Sequence, residues 1–293
     1  MGAPHPESPT PMALAASEAC CHQLAGVLFP WDVTRALELA LLKTFCVPSI
    51  SGLLARTGEF EQRPRKRYDD TGLMVAELLR HGLDSGAGAA VIARMNRIHG
   101  HYAIGNDDFL YVLSSFVAEP IRWLERYGWR PLTAEEREHL FRFWRAVGER
   151  MGITDIPASL AELLELNGRV EREIFRYAES NHRIAEATLA MLLADWPAPL
   201  RPVLRRSLQA LLAGDAAGCL GWPAAPGPLQ GLVLMALRTR SRMAAAWLRV
   251  RRALAGEPTP SFYSLRPTPS YGRSFRLEQL GPPPLLPHLN RPE

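Results

Sequence analysis

Cysteine is scarce in this chain, and its placement excludes two chemistries. The four cysteines, Cys20, Cys21, Cys46 and Cys219, form no Cys-x-x-Cys pair. No Cys/His spacing suits a zinc site. Adjacent Cys20 and Cys21 are poor partners for a bridge, so reduced thiols in a cytoplasmic protein are expected. Long apolar runs are missing as well. The greasiest segment, Ala36 to Ala55, is interrupted by Glu38, Lys43 and Pro48. It does not read as a bilayer span, although contact at a membrane surface stays open. The N-terminal MGAPHPESPTP is polar and proline-rich and lacks the apolar centre of a signal peptide. No Gly-x-Ser-x-Gly elbow and no Gly-rich phosphate loop occur, which removes two common catalytic frameworks. A strong excess of one charge is absent too. The formal net charge is +4, with basic and acidic residues interleaved. Nucleic acid is therefore not an expected partner. RPRKR, residues 63–67, is the one dense basic run.

What is present is helical. Strand alternation is not found, and 47% of the 293 residues are apolar, enough for one full core. The reading is an all-α, single globular multi-helix domain over residues 13–257. Residues 1–12 read as a disordered tail, and 258–293 as an extended, proline-rich arm over the body. Asp32 can cap a helix running towards Phe45, with Pro48 ending it. Asp69 and Asp70 suit the first turn of a helix that reaches Arg80 and stops at Gly82. The next spans about Gly88 to Tyr102. Asn106 can cap another, with Pro120 kinking it. Thr133 and Glu136 form a capping box. Later helices cover roughly Ser159 to Glu179, Asn181 to Leu193, Pro199 to Leu212 and Gly231 to Leu254.

Two stretches carry the chemistry. Arg67 and Thr71 stand four residues apart on one helical face, in line with Val75 and Leu78. His99 falls on the apolar face of its helix with Ile92, Met95 and Tyr102, whereas His101 shares the other stripe with Arg94 and Arg97. An inward histidine is either a metal ligand or a hydrogen-bonded core residue. An inward Arg67 needs an anion. Glu59 or Asp70 could supply it, or a haem propionate or bound oxygen species. A rival arrangement uses the Glu-x-x-His spacings Glu136/His139 and Glu179/His182 for two irons. Glu136, however, already serves the capping box.

The strings FPWDVTRALELALLKTFCVPSISGLLARTGEF, RPRKRYDDT and RMNRIHGHYAIGNDDFLY resemble the MpaB-type oxygenase family, which shares its catalytic domain with the rubber oxygenase latex clearing protein. The resemblance covers about Phe29 to Gly152 and extends to about Leu254. It implies a globin-like helical body holding one haem b. The family's Arg-x-Asn-x-x-His-x-x-Tyr histidine is His99, implied as the proximal iron ligand. Its Arg-x-x-x-Thr pair falls on Arg67 and Thr71, implied to lie at the haem pocket and to take part in catalysis. The lysine that precedes the threonine in rubber-cleaving members is Asp70 here, which argues against rubber as substrate. Glu59 is the candidate for the family's catalytic glutamate. The implied activity is oxygenation, with dioxygen, of an apolar unsaturated molecule, isoprenoid- or lipid-like. The alternatives are a non-catalytic haem carrier or sensor, and a helical interaction protein without cofactor.

Overall fold

Proline starts the helices that build the interior. It has no N–H to lose and a φ already near the helical value, so it fits the first turn. Pro30, Pro48 and Pro64 each open a helix in this way. Pro48, expected to end one helix, thus begins the next. In the computed structural model, which describes residues 11–212 and 216–282, the helices run in this order. They are α1 (Pro11–Gln23), α2 (Pro30–Thr44), α3 (Pro48–Thr57), α4 (Glu59–Gln62), α5 (Pro64–His81), α6 (Gly86–His99) and α7 (Asn106–Tyr127). There follow α8 (Ala134–Arg150), α9 (Leu160–Glu173), α10 (Glu179–Ala194), α11 (Arg201–Leu211), α12 (Ala216–Cys219) and α13 (Gly227–Ala255). Among the described residues there is no strand, only an isolated bridge between Thr268 and Gly272. The all-α, single-domain reading holds.

Several boundaries differ from the sequence reading, each for a local reason. Residues 1–10 of the expected tail lie outside the described residues. Helix α1 was not anticipated, because its alanines and cysteines form no clear apolar stripe. Asp32 does not cap α2. It sits inside the first turn, buried, accepting from Trp123 Nε1 at 3.1 Å and from Arg240 at 2.8 Å. Gly105, not Asn106, is the N-cap of α7. The Asn106 amide instead exchanges two 3.0 Å hydrogen bonds with the backbone of Thr154. Helix α6 stops at His99, so Tyr102 lies beyond it. Helix α9 ends at Glu173, and an irregular turn precedes α10. The Thr133–Glu136 capping box is present, with N–H bonds of 2.8 and 3.1 Å.

Helix α7 is the axis of the packing. It continues through Pro120 and buries Tyr111, Leu113, Val117, Ala118, Ile121 and Leu124. Helices α2, α8 and α9 pack on it, α1 packs on α8, and α5 packs on α6. Buried Glu119 ties α7 to its neighbours. It accepts from Lys43 of α2 at 2.8 Å and from Arg122 at 2.7 Å, and both cations also reach Glu171 of α9. Such a cluster suits a core only because every charge is partnered.

The two helices that carry the candidate site, α5 and α6, meet at a glycine. A Cβ on Gly88 would stand 1.8 Å from the Gly82 carbonyl oxygen, a backbone atom that cannot rotate away. Gly88→Ala should therefore lower stability by roughly 1–3 kcal/mol, although alanine is the better helix former by about 1 kcal/mol. A chemical denaturation curve checks this. Unchanged or raised stability would show that the α5–α6 junction gives way freely.

Residues 256–282 cross the body as an arm, held by α5 and α6. The expectation that Asp69 and Asp70 sit in the first turn of α5 fails, because the helix starts at Pro64 and both carboxylates are buried further along it. They anchor the arm instead. Asp69 accepts from Tyr263 Oη at 2.7 Å and from the Ser270 N–H at 3.0 Å. Asp70 accepts from Tyr271 Oη, from the Gly281 N–H at 3.1 Å and from Lys66 at 2.9 Å. Lys66 also donates to the Gly281 carbonyl at 2.7 Å. Arg94 of α6, which shares the nominally outer stripe with His101, is buried and donates to the Glu278 and Leu280 carbonyls.

Candidate functional site

A cavity of about 360 Å³ lies between α2, α3, α5, α6, α7 and the arm. That falls within the range of small-molecule pockets. Its walls are mostly apolar, with Leu37, Leu41, Leu54, Phe60, Phe109 and Phe116 prominent. The arm closes one side through Phe262, Tyr263 and Gly281. It lies close enough that a Cβ on Gly72 would stand 3.0 Å from the Tyr263 ring. Arg67, Thr71, His99 and Glu59 all face this one cavity.

His99 is the last residue of α6, where the helix breaks at Gly100. Its ring meets Phe109 edge to face, with centroids 5.5 Å apart. Nδ1 is buried and has no hydrogen-bond partner. Burial, helped by the nearby Arg67 guanidinium, lowers its pKa to about 4. The imidazole is therefore neutral at neutral pH, with one ring nitrogen able to donate an electron pair. His101 behaves differently. It is exposed, and its Nδ1 bonds to the Arg97 carbonyl at 2.6 Å.

Arg67 stands one turn into α5. Its guanidinium hydrogen-bonds Thr71 Oγ1 and lies 5.1 Å from the centre of the Phe60 ring. Burial pulls its pKa down, opposed by Asp70, Glu59 and Tyr102. The carboxylates that could neutralise it are engaged elsewhere. Glu59 is held by Arg63 at 2.5 and 3.1 Å, and Asp70 by Lys66. Among the described residues Arg67 has no carboxylate within ion-pair distance. An interior guanidinium with spare donors is a ready anion site.

The rival Glu-x-x-His pairs do not meet. Glu136 binds Arg130 and its own helix start, while His139 points to Ser17 at 3.0 Å. His182 bonds the Leu220 carbonyl at 2.9 Å. Among the described residues no group of three or more His, Cys, Asp or Glu could hold a metal ion.

One polar pair on the wall escaped the sequence reading. Glu38 of α2 is buried on the cavity and accepts from Tyr68 Oη and Arg35, each at 2.6 Å. Burial pushes its pKa up, against Arg35 and Tyr68. The signal for it in the sequence is a single acid inside an apolar run.

The chain is also similar to known proteins. The family described as "ER-bound oxygenase mpaB/B'/Rubber oxygenase, catalytic domain" matches residues 34–255. An ER-bound oxygenase mpaB of Penicillium roqueforti (strain FM164) is 29% identical over 199 residues, 62% of this chain and 67% of that protein. The ER-bound oxygenase mpaB' of Penicillium brevicompactum is 28% identical over the same length, 62% of this chain but only 47% of the relative. The chain thus spans about half the length of that relative. A solved structure of latex clearing protein LCP in the closed state aligns with 88% of this chain and 72% of its own, at 16% identity and a TM-score of 0.49. With a family match that spans residues 34–255, the chain belongs to the family of the mpaB-type and rubber oxygenase catalytic domain.

Proposed function

We propose that this protein is a haem-dependent oxygenase that uses dioxygen on an apolar, unsaturated small molecule, with His99 as the proximal iron ligand. One observation carries the reading. A neutral His99 with an unpartnered buried nitrogen and an Arg67 without a carboxylate face the same apolar cavity.

These residues fit a haem. His99 would ligate its iron, and Arg67 would pair with a propionate or another anionic oxygen through its planar fork. Bound there, haem would supply a redox-active iron at which dioxygen is activated. The remaining work belongs to the chain. Thr71 holds the Arg67 guanidinium in place, and the Phe60 ring supports it from the side. The aliphatic and aromatic walls bind an apolar substrate and exclude water. Glu38 also lines the cavity, its carboxylate held by Arg35 and Tyr68. Asp70 is committed to the arm beside Lys66, which is consistent with a substrate other than rubber. The four cysteines form no disulfide among the described residues, which suits a reducing, cytoplasmic setting.

The test is aerobic incubation of haem-loaded protein with a panel of terpenoid and unsaturated lipid substrates under oxygen-18. Label in the products is the expected result. Arg67→Ala should lower haem occupancy or turnover by roughly tenfold or more, with only partial rescue in Arg67→Lys, because lysine lacks the planar fork. A haem-loaded protein that consumes nothing across the panel would instead be a carrier or sensor.

A further inference from the structure

Helix α13 is the longest helix, and only Ser241 and Ala245 of its 29 residues are buried. The opposite side is apolar and open. Leu232, Met235, Met243, Trp247, Val250 and Leu254 are all exposed, Met243 by 68%, Trp247 by 64% and Leu254 by 83%. At about 100° per residue these six fall within an arc of about 120° running the length of the helix. Scattered exposed apolar residues need no explanation, but a continuous stripe does.

Its borders are basic. The helix holds Arg238, Arg240, Arg242, Arg249, Arg251 and Arg252, and no acidic residue. Arg240 and Arg252 are paired with Asp32 and Glu257. Arg242 and Arg249 lie along one edge of the stripe and Arg251 along the other, all exposed. Among the described residues none of these three has a carboxylate within ion-pair distance. A second copy of the chain would bring two such helices together with no negative charge between them. An anionic bilayer surface supplies both what the stripe lacks and what its flanks attract. Trp247, at the edge of the stripe on the Arg251 side, suits the headgroup level. The arginines keep the helix from crossing, and no single helix among the described residues is long and apolar enough to span a membrane.

We propose that α13 is a membrane-docking helix that lies flat on an anionic lipid surface, with Met243, Trp247 and Val250 immersed and Arg242, Arg249 and Arg251 at the headgroups. This inference does not depend on the oxygenase reading. The helix bears none of the cavity-facing residues, so a failure of one leaves the other standing.

The experiment is co-sedimentation of the 293-residue chain with vesicles of phosphatidylcholine alone or with about a third phosphatidylserine. Wild type should bind the anionic vesicles, more weakly as salt rises. Trp247→Glu, or Met243→Glu, should reduce binding about tenfold or more. The double variant Arg242→Glu/Arg249→Glu should lose a similar factor on anionic vesicles. Leu265→Glu, which alters an exposed apolar residue on the arm, should change nothing. Unaltered far-ultraviolet circular dichroism confirms that each variant is folded. Wild type that ignores both vesicles would overturn the proposal, as would binding indifferent to the α13 variants. So would a Trp247→Glu protein that loses only self-association, which would mark the stripe as a contact between copies.

Discussion

His99→Ala should yield a purified protein without bound haem, whereas His101→Ala should keep the absorption spectrum of the wild type. The two histidines are two residues apart and chemically alike, so the contrast isolates position. His99 is neutral, faces the apolar cavity and has no competing partner for its buried nitrogen. His101 is exposed and bonded to its own helix. Removing an outer partner of a metal ligand costs about 10–100-fold in affinity. Removing the ligand itself should exceed that, so haem affinity should fall by more than about 100-fold. The Soret absorbance of protein titrated with haem reports it. Equal loss in both variants would point to unfolding at the α6 end, and a circular dichroism spectrum separates that case. Loss in His101→Ala alone would remove His99 from the account.

Asp70→Ala should detach the C-terminal arm. Asp70 is 3% exposed and receives Lys66, Tyr271 and the Gly281 N–H together. Taking away the acceptor strips Lys66 of its counter-charge, although it keeps the Gly281 carbonyl, and leaves the Gly281 N–H without its carboxylate. Breaking a buried pair in this way costs roughly 3–5 kcal/mol, or a drop in Tm on the order of 10 °C for a chain this long. The loss should concentrate in the arm, because Asp70 joins it to α5. Hydrogen exchange in residues 261–282 should accelerate well beyond that in α7, and the cavity wall formed by Phe262 and Tyr263 should open. Asp70→Asn should fall between, since it keeps an acceptor without the charge. Asp70→Lys should be at least as damaging as alanine, because it would set two ammonium groups side by side at Lys66. Uniform exchange across the protein would contradict the anchoring role.

The inward positions of Arg67, Thr71 and His99 were more legible than the cavity walls around them. Arg67 and Thr71 are one helical turn apart, and His99 lies on an apolar stripe, so local spacing alone aims each of them inward. The capping box at Thr133 and Glu136 is equally local. The role of Asp70 was not legible in the same way. Its partners Tyr271 and Gly281 lie 201 and 211 positions along the chain, and nothing near Asp70 announces them. Helical periodicity likewise put Arg94 beside His101 and Arg97, but the arm returns to cover it and its guanidinium binds the Leu280 carbonyl. The start of α5 was misjudged because two adjacent aspartates look like first-turn acids. Pro64 is the earlier and stronger start signal. Glu38 was hidden by the apolar run around it.

The measurement that bears most directly on the central claim is a crystal structure of the haem-loaded protein. The account predicts iron bound to a ring nitrogen of His99, the porphyrin within the cavity between α5, α6 and α7, and the Arg67 guanidinium on an anionic oxygen of the group or its ligand. Iron held by His101, His139 or His182, or a haem bound outside that cavity, would contradict it.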